Sequence, residues 1–384
     1  MTRPILLDVT RLASRAGLRP TGVDRVEAAY LNHVLHQDRS VWGLARTALG
    51  HVLLDRRGLS LLQEHVAANV WPDPDLVSRL NPRLSPEAAR GQTAVRGLAV
   101  ARCSRLGLSR LLRRRFPGWV DYFSVGHANL TERVLDAIPG RVNVLVHDVI
   151  PLTHPQFQRA GTVEAFCRKM SVVANGADRI ICTTRAAEAE IRAALPEARG
   201  TFVVAPLGVP VPVPDAAPDV PRPYVVALGT IEPRKNLSRL LDLWADWPEA
   251  PHLVICGRRG WERPEVLARL DAGPARVIEL PGLADAQVAA LLRDAAALVF
   301  PSLAEGFGLP PAEALALGTP ALVSDLPACR EILGDSAVYL DPSDGYQWKQ
   351  AIAACVTAPH DVRAVSFVPP DWISHFKLVF TEDG

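Results

Sequence analysis

The sequence has no long hydrophobic run, few cysteines and little lysine, and each shortage argues against a class of protein. No apolar stretch approaches the roughly 20 residues that a helix needs to span a bilayer. The start of the chain, MTRPILLDVT, lacks the pattern of a secretory signal peptide. The six cysteines are scattered without a CxxC pair, which argues against a disulfide framework or a zinc site. We therefore expect a cytoplasmic protein with reduced thiols.

Charge is present in both signs but is divided unequally along the 384 residues. Residues 1–200 hold 28 Lys and Arg against 18 Asp and Glu, and the remainder holds 14 against 23. A basic half joined to an acidic half predicts that the first half meets an anionic partner. Only four of the 42 cations are lysines, and an excess of arginine is also what a genomic composition bias would produce.

Short apolar runs alternate with helical patterns, which predicts α/β domains with doubly wound parallel sheets. Residues 206–223 contain seven prolines and are predicted to be a semi-rigid linker. The predicted divisions are a first Rossmann-like domain at 1–205, the linker at 206–223, a second such domain at 224–345, and closing helices at 346–384. Smaller expectations are helices at 26–35 and 166–175 and a loop at 71–86.

The most informative stretch is 296–320, AALVFPSLAEGFGLPPAEALALGTP, which reads as a strand, a glycine-bearing loop and a helix. The loop points at a helix N-terminus, where free N–H groups and the helix dipole favour an anion. Glu305 and Glu313 bracket this place and can accept hydrogen bonds from sugar hydroxyls. A diphosphate joined to two sugars fits that arrangement, although Glu313 alone is equally well explained as a helix-dipole residue.

Three motifs, HDVIP, GTIEPRKN and EGFGLPPAE, resemble in order and spacing those of retaining GT-B glycosyltransferases, in particular family 4. The resemblance implies the GT-B fold, in which two Rossmann-like domains face each other across a cleft. It implies a nucleotide diphosphate sugar as donor, no cofactor and no metal. Asp73-Pro74-Asp75 matches the DxD pattern of metal-dependent transferases, but prolines flank and split it and no strand precedes it, so we interpret it as a chance match.

The resemblance also assigns roles to individual residues. The catalytic set that it implies is His147, Arg234, Lys235 and Glu305. The donor-binding set is Gly22, Gly229, Gly282, Phe307, Gly308, Leu309 and Glu313. The acceptor side is assigned to His127 and Asp148. For Arg234 and Lys235, an ordinary solvated basic pair is the alternative reading from the residues alone.

The loop TGVDRV is similar to that of bacterial mannosyltransferases of surface polysaccharide assembly, so GDP-mannose is the first expectation for the donor. The expected acceptor is a saccharide or a lipid-diphosphate-linked saccharide. Two alternatives stay open, namely a non-hydrolysing sugar-nucleotide epimerase of the same fold and a catalytically silent binding subunit.

The most basic stretch, 102–116, carries six arginines with leucines and a phenylalanine between them. A basic segment with an apolar side is predicted to lie on an anionic membrane surface, which would make the protein peripheral on the inner face of the cell membrane. A solvated helix or loop is an equally good reading. Nucleic acid is not expected, because aromatic residues are sparse here and no binding motif accompanies them.

Overall fold

The computed structural model describes residues 3–358 and 367–381. The strands, in chain order, are β1 Ile5–Asp8, β2 Val41–Thr47, β3 Gly50–Leu54, β4 Ala101–Cys103, β5 Val120–Ser124, β6 Gly140–Val146, β7 Arg179–Cys182, β8 Thr201–Val204, β9 Tyr224–Leu228, β10 His252–Cys256, β11 Val277–Leu280, β12 Leu298–Phe300, β13 Ala321–Ser324 and β14 Val338–Leu340.

Helices lie between most of these strands. They are α1 Thr10–Ser14, α2 Gly22–Leu35, α3 Arg56–Ala68, α4 Leu76–Arg79, α5 Pro86–Gly97, α6 Leu108–Arg115, α7 Glu132–Leu135, α8 Ile150–Thr153, α9 Thr162–Gly176, α10 Arg185–Ala194, α11 Leu237–Ala245, α12 Pro264–Asp271, α13 Asp285–Asp294, α14 Leu309–Ala316, α15 Pro327–Leu333, α16 Gly345–Thr357 and α17 Trp372–Val379. Single helical turns occur at Pro155–Phe157, Pro233–Lys235 and Gly334–Ser336.

The first sheet has the order β4-β3-β2-β1-β5-β6-β7-β8. Strands β2 and β1 and then β5 to β8 are parallel, with Ile5 opposite both Val41 and Asp121. The edge differs from the fully parallel sheet that we predicted, because β2, β3 and β4 pair antiparallel. The tight turn between β2 and β3 explains the difference, since a hairpin reverses the chain whereas a crossover helix keeps it parallel.

The second sheet is parallel and has the order β11-β10-β9-β12-β13-β14. The strand order reverses between β9 and β12. In open α/β sheets a ligand binds outside the carboxyl ends of the strands at such a reversal. The loops that follow β9 and β12 are therefore the ones that the fold places at a binding site.

Three local expectations need correction. Helix α2 begins at Gly22, with Thr21 as its N-cap, so the glycine lies in the first helical turn and not in a preceding loop. Asp24 accepts a hydrogen bond from the Thr21 N–H, which closes the capping arrangement that sets this start. Helix α9 is longer than predicted, and the stretch 71–86 contains the short helix α4.

The apolar side of the basic stretch is not free for a membrane. Leu108, Leu112 and Phe116 are buried in the core beneath the first sheet. The arginines of α6 are exposed, and the Arg115 guanidinium lies 3.9 Å from the centre of the Trp42 ring. These three side chains are therefore not available to a bilayer, and the charged face of α6 is the part that an anionic surface would meet. Across 3–358 and 367–381, no helix is both long and apolar enough to cross a bilayer.

The chain passes between the domains and returns. Residues 206–223 form no helix or strand, and β9 begins directly after them. Helix α16 stays with the second domain, where Trp348 is buried. Helix α17 packs on the first domain, where His375 lies against Tyr30. Of the helices in the predicted closing segment 346–384, α17 therefore crosses back to the first domain and α16 does not.

Candidate functional site

The loops after β9 and β12 meet in a buried cluster of charges. Lys235 Nζ lies 2.5 Å from Glu305 Oε1, and Arg234 Nη1 lies 2.7 Å from Glu305 Oε2. Arg234 also pairs with Glu232, with 2.5 Å between Arg234 Nε and Glu232 Oε1. Gly229 makes room for this cluster, because a Cβ there would lie 3.3 Å from Lys235 Cε.

The two cations determine the charge state of Glu305. Burial would raise the pKa of this carboxyl group, but Arg234 and Lys235 outweigh burial and lower it to about 2. Burial, and after it the positive charge of Arg234, lowers the pKa of Lys235. Glu305 is therefore ionised at neutral pH, and both of its oxygens hold cations in place. The carboxylate orients Arg234 and Lys235, in addition to any contact that it makes with a sugar.

The Glu305 loop lies directly against the first domain. A Cβ on Gly306 would come within 2.6 Å of the His147 carbonyl oxygen and 2.8 Å of the Asp148 Cβ. The Gly306 carbonyl accepts hydrogen bonds from the hydroxyls of Thr183 and Thr184, at 3.1 and 3.2 Å. The structure thus brings the catalytic residues predicted from both domains into one crevice.

His127 and His147 lie half-buried side by side, with ring centres 6.0 Å apart. Nε2 of His147 lies 3.0 Å from the Val125 carbonyl oxygen, and Nε2 of His127 lies 2.6 Å from that of Leu145. A carbonyl only accepts, so both rings carry their proton on Nε2 and leave Nδ1 as an acceptor. Burial lowers the pKa of His147 to about 3 and that of His127 to about 4. Both rings are neutral at pH 7.

Asp148 faces the same crevice from the end of β6. Its Oδ1 accepts a hydrogen bond from the Ile150 N–H at 3.1 Å, which fixes the side chain. Burial raises the pKa of Asp148, while the charge of Arg234 in the other domain acts against that rise. The carboxyl group therefore lies within electrostatic reach of the second domain's cations.

The N-terminus of α14 is the place where the sequence predicts an anion site. Gly308 caps the helix with φ +92°, a left-handed conformation that glycine adopts without strain, and Phe307 beside it is buried. The space that a Cβ on Gly22 would fill is 3.3 Å from Leu309 Cδ1, so α2 of the first domain approaches the start of α14. Two prolines follow Leu309 and carry no N–H, so the groups that this turn can offer an anion are the N–H groups of Phe307, Gly308 and Leu309.

Two arginines of the first domain reach the remaining donor-side residues. Arg25 donates to Glu313 Oε1 at 2.8 Å and to Asp285 Oδ1 at 2.7 Å. Arg19 donates to the Leu283 carbonyl and its guanidinium lies beside Gly282, whose φ is +78°. Burial raises the pKa of Glu313 to about 7, with Arg25 acting against the rise.

Sequence reasoning missed Glu232, Asp285 and the threonine pair at 183–184. Glu232 stands inside the motif GTIEPRKN, so its position between a strand and two cations was a usable signal. Asp285 gave no such signal, because its partner Arg25 is 260 positions away along the chain. Asp75 of the rejected DxD pattern caps α4 and pairs with Arg96.

Known proteins match parts of the chain. Residues 214–364 match the family described as glycosyl transferases group 1. The serotype-specific mannosyltransferase WbdA of Escherichia coli is 30% identical over 230 residues, which are 52% of this chain and 28% of that protein. The O-antigen chain mannosyltransferase RfbU of Salmonella typhimurium is 35% identical over 132 residues, 34% of this chain and 37% of that protein. The matches thus span less than two fifths of either relative.

Solved structures match nearly the whole chain. Sucrose-phosphate synthase from Thermosynechococcus elongatus superposes with a TM-score of 0.58 at 17% identity, over 94% of this chain and 92% of that one. The Anabaena protein HepE, in complex with UDP-glucose, superposes with a TM-score of 0.60 at 15% identity, over 98% and 95%. The chain has the GT-B fold, as predicted. The match to the glycosyl transferases group 1 family falls on its second domain.

Proposed function

We propose that this protein is a retaining glycosyltransferase, which moves a sugar from a nucleotide diphosphate donor to a hydroxyl of a saccharide acceptor. The observation that carries the proposal is the cluster of Arg234, Lys235 and Glu305 packed against His147 and Asp148. Fixed cations at the place where a diphosphate departs stabilise the charge that develops there. Ordinary solvated arginine and lysine would be exposed, whereas this pair is largely buried.

Each domain has a part in the proposed reaction. Arg234, Lys235 and the N–H groups at the start of α14 hold the departing diphosphate. Glu305 keeps both cations in register and meets hydroxyls of the donor sugar, and Glu313 meets the ribose. Neutral His147 has Nδ1 available to accept a hydrogen bond from the donor sugar near the reacting carbon. The departing phosphate itself takes the proton of the acceptor hydroxyl, on the same face that the leaving group vacates.

The proposed donor is GDP-mannose, and the proposed setting is bacterial surface polysaccharide synthesis. The mannosyltransferase names of the relatives support both, as does the loop at 21–26. A panel of nucleoside diphosphates and sugar nucleotides in thermal denaturation identifies the donor, because a bound ligand raises the apparent Tm. Analysis of the products with a labelled donor separates transfer from epimerisation, and absence of any product would favour a silent binding subunit.

Removal of a single charge tests the assignment of the cluster. We expect Lys235→Ala and Glu305→Ala each to lower kcat about a thousandfold, since each removes preorganised electrostatic stabilisation. The matched control is Lys349→Ala, which removes a lysine that lies over the Trp247 ring away from the crevice. Transfer of labelled sugar measures the effect, and far-ultraviolet circular dichroism checks the fold. Substantial turnover in either site variant would overturn the proposal.

We also propose that the cations make a metal unnecessary, because Arg234 and Lys235 supply the positive charge at the diphosphate. Activity is then expected to be unchanged in excess EDTA. A loss of activity that Mg²⁺ or Mn²⁺ restores would contradict this part of the proposal.

Contact with an anionic membrane is a separate proposal that rests on the exposed charge of α6. A lipid-linked acceptor would require such contact. We expect the chain to co-sediment with anionic liposomes at low salt and Arg113/Arg114/Arg115→Ala to bind them about a hundredfold less, since each basic residue near the surface adds about 1 kcal/mol. Equal binding by both chains would rule the proposal out.

A further inference from the structure

The first domain contains an open cavity of about 1240 Å³ that is lined by none of the residues assigned to the donor or to catalysis. It lies among the turn between β2 and β3, the segments 81–84 and 129–134, and helix α9. Its volume is larger than the range of roughly 300–1,000 Å³ that is usual for small-ligand sites, so a saccharide with a charged group would fit.

The wall of this cavity is strongly basic. The cations that line it are Arg46, Arg83, Arg105, Arg133, Arg168 and Lys169, and Glu132 is the single carboxylate among the lining residues. Within the described ranges, none of the six cations forms an ion pair. By contrast, Arg11 and Arg15 both form ion pairs with Asp24.

The floor of the cavity holds polar groups that lack partners. His51 is 4% exposed and lies near the Asn129 side chain, but among the described residues neither of its ring nitrogens makes a hydrogen bond of normal geometry. The side-chain oxygen of Asn129, which also lines the cavity, has none either, although the amide nitrogen donates to Asp8. Buried polar groups are normally hydrogen-bonded, so these atoms indicate a place that is completed by a polar ligand.

The cavity adjoins the acceptor side of the crevice. The charge of Lys169 contributes, after burial, to the low pKa of His127, so the two side chains lie within electrostatic reach. Asn129, which lines the cavity, lies two residues after His127 in the chain. A ligand in the cavity can therefore extend toward His127 and the reacting centre.

We propose that this cavity binds the phosphate or diphosphate group of the acceptor, so that the protein glycosylates a sugar phosphate in preference to a neutral saccharide. The inference rests on the proposed function and names its acceptor class. Arginine suits the role, because its planar fork binds phosphate oxygens in pairs. Exposed arginines at the rim would meet the anion first. At the floor a ring N–H of His51 would donate to it, and the Asn129 oxygen would accept from a hydroxyl of the attached sugar.

Binding of inorganic pyrophosphate tests the anion site without turnover. The full chain is first saturated with the nucleoside diphosphate that gives the largest thermal shift, which blocks the donor site, and is then titrated by calorimetry. We expect Arg46→Ala/Arg105→Ala to weaken pyrophosphate binding at least about tenfold, since each loses a charge-assisted hydrogen bond. The control Arg57→Ala removes an exposed arginine of α3 and is expected to bind as the wild type does. Absence of binding in the wild type, or equal binding in the double variant, overturns the inference.

An acceptor series identifies the source of the phosphate. A free saccharide, its 1-phosphate and its prenyl diphosphate in detergent are compared by kcat/KM. We expect at least about a tenfold preference for the phosphorylated forms that Arg46→Ala/Arg105→Ala abolishes. A further preference for the prenyl diphosphate in the wild type would assign the site to a lipid-linked acceptor, and equal rates for the two phosphorylated forms would assign it to the phosphate alone. Equal use of the free saccharide overturns the inference.

The two proposals fail in different ways. Loss of donor binding and of all transfer, with pyrophosphate binding intact, would overturn the glycosyltransferase assignment and leave the anion site supported. Donor hydrolysis without pyrophosphate binding would overturn the anion site and leave the glycosyltransferase assignment supported. The variant Arg113/Arg114/Arg115→Ala keeps every cavity residue, so a change in pyrophosphate affinity there would attribute the binding to the helix α6 surface and overturn the cavity site.

Discussion

Glu305 and Glu313 stand eight positions apart, and both are buried, yet their surroundings move their pKa values in opposite directions. Two cations lower the pKa of Glu305 to about 2 despite burial, whereas burial raises that of Glu313 to about 7 against the single pairing with Arg25. Two carboxyl groups with such different pKa values can have different roles in one site. Glu305 keeps a fixed negative charge, and Glu313 changes its charge near neutral pH.

The Glu313 shift gives a prediction about stability. The pKa of Glu313 is about 7 in the folded chain, whereas its ordinary value is 4.5. Between these two pH values the folded state therefore holds a proton that the unfolded state has released. This stabilising effect is fully present below pH 4.5 and is lost as the pH rises through about 7. We therefore expect the Tm of the wild type to fall relative to that of Glu313→Gln between about pH 5 and about pH 8.

Thermal denaturation at a series of pH values measures this difference. Glu265→Gln, which changes an exposed carboxylate of α12, controls for the loss of one negative charge. A gap between the wild type and Glu313→Gln that stays constant across the series would show that Glu313 does not titrate in this range.

The sequence identified those site residues whose position in the fold can be predicted from the residues next to them in the chain. Lys235 and Glu305 each follow a buried strand and precede a helix, so their loops were predictable, and their motifs added the roles. The pairing of Arg25 with Glu313 was not predictable, because these residues are 288 positions apart and meet only when two domains face each other. The cavity cations were visible only as an excess of arginine.

At the scale of elements, the two domains meet where the Glu305 loop contacts the residues at the end of β6. Gly306 permits it, and an added methyl group would press on the His147 carbonyl and the Asp148 side chain. We expect Gly306→Ala to lower kcat/KM about tenfold or more and to cost about 1–3 kcal/mol of stability, as overpacking does. Steady-state transfer and urea denaturation measure the two effects.

Gly118→Ala is the matched control, because a Cβ at Gly118 meets nothing within 4 Å. It should leave transfer unchanged. If Gly306→Ala behaves in the same way, the loop has room to move, and the close contact does not restrict catalysis.

Helix α6 shows where sequence reasoning on elements ends. Its alternation of arginine and leucine predicts one apolar side and one charged side, and both are present. The pattern cannot tell a helix that packs on its own sheet from one that packs on lipid, because both bury the same leucines. In the structure Leu108 and Leu112 are buried in the core, so α6 packs on its own sheet.

At the scale of the molecule, Arg19 and Arg25 of the first domain bind Leu283, Asp285 and Glu313 of the second. Interfaces between domains of one chain are often mobile unless they are large and apolar. We expect Arg19→Ala/Arg25→Ala to raise the radius of gyration without nucleotide and to raise the donor KM about tenfold, since closure would no longer be favoured.

Small-angle scattering and steady-state kinetics provide the two measurements. Arg259→Ala is the control, because Arg259 pairs with Asp271 and Glu279 inside the second domain alone. An unchanged radius and KM in the double variant would show that the threonine contacts and the Gly306 loop suffice to keep the domains together.

Helix α17 has a consequence for how this protein would fail. His375 joins Tyr30 to the Ala205 carbonyl, and Phe376 stacks on His33, so the last described helix completes the half of the molecule that the beginning of the chain encodes. The second domain is therefore an insert between two pieces of the first. A premature stop codon ahead of Trp372 would spare the second domain and leave the first with an uncovered aromatic surface.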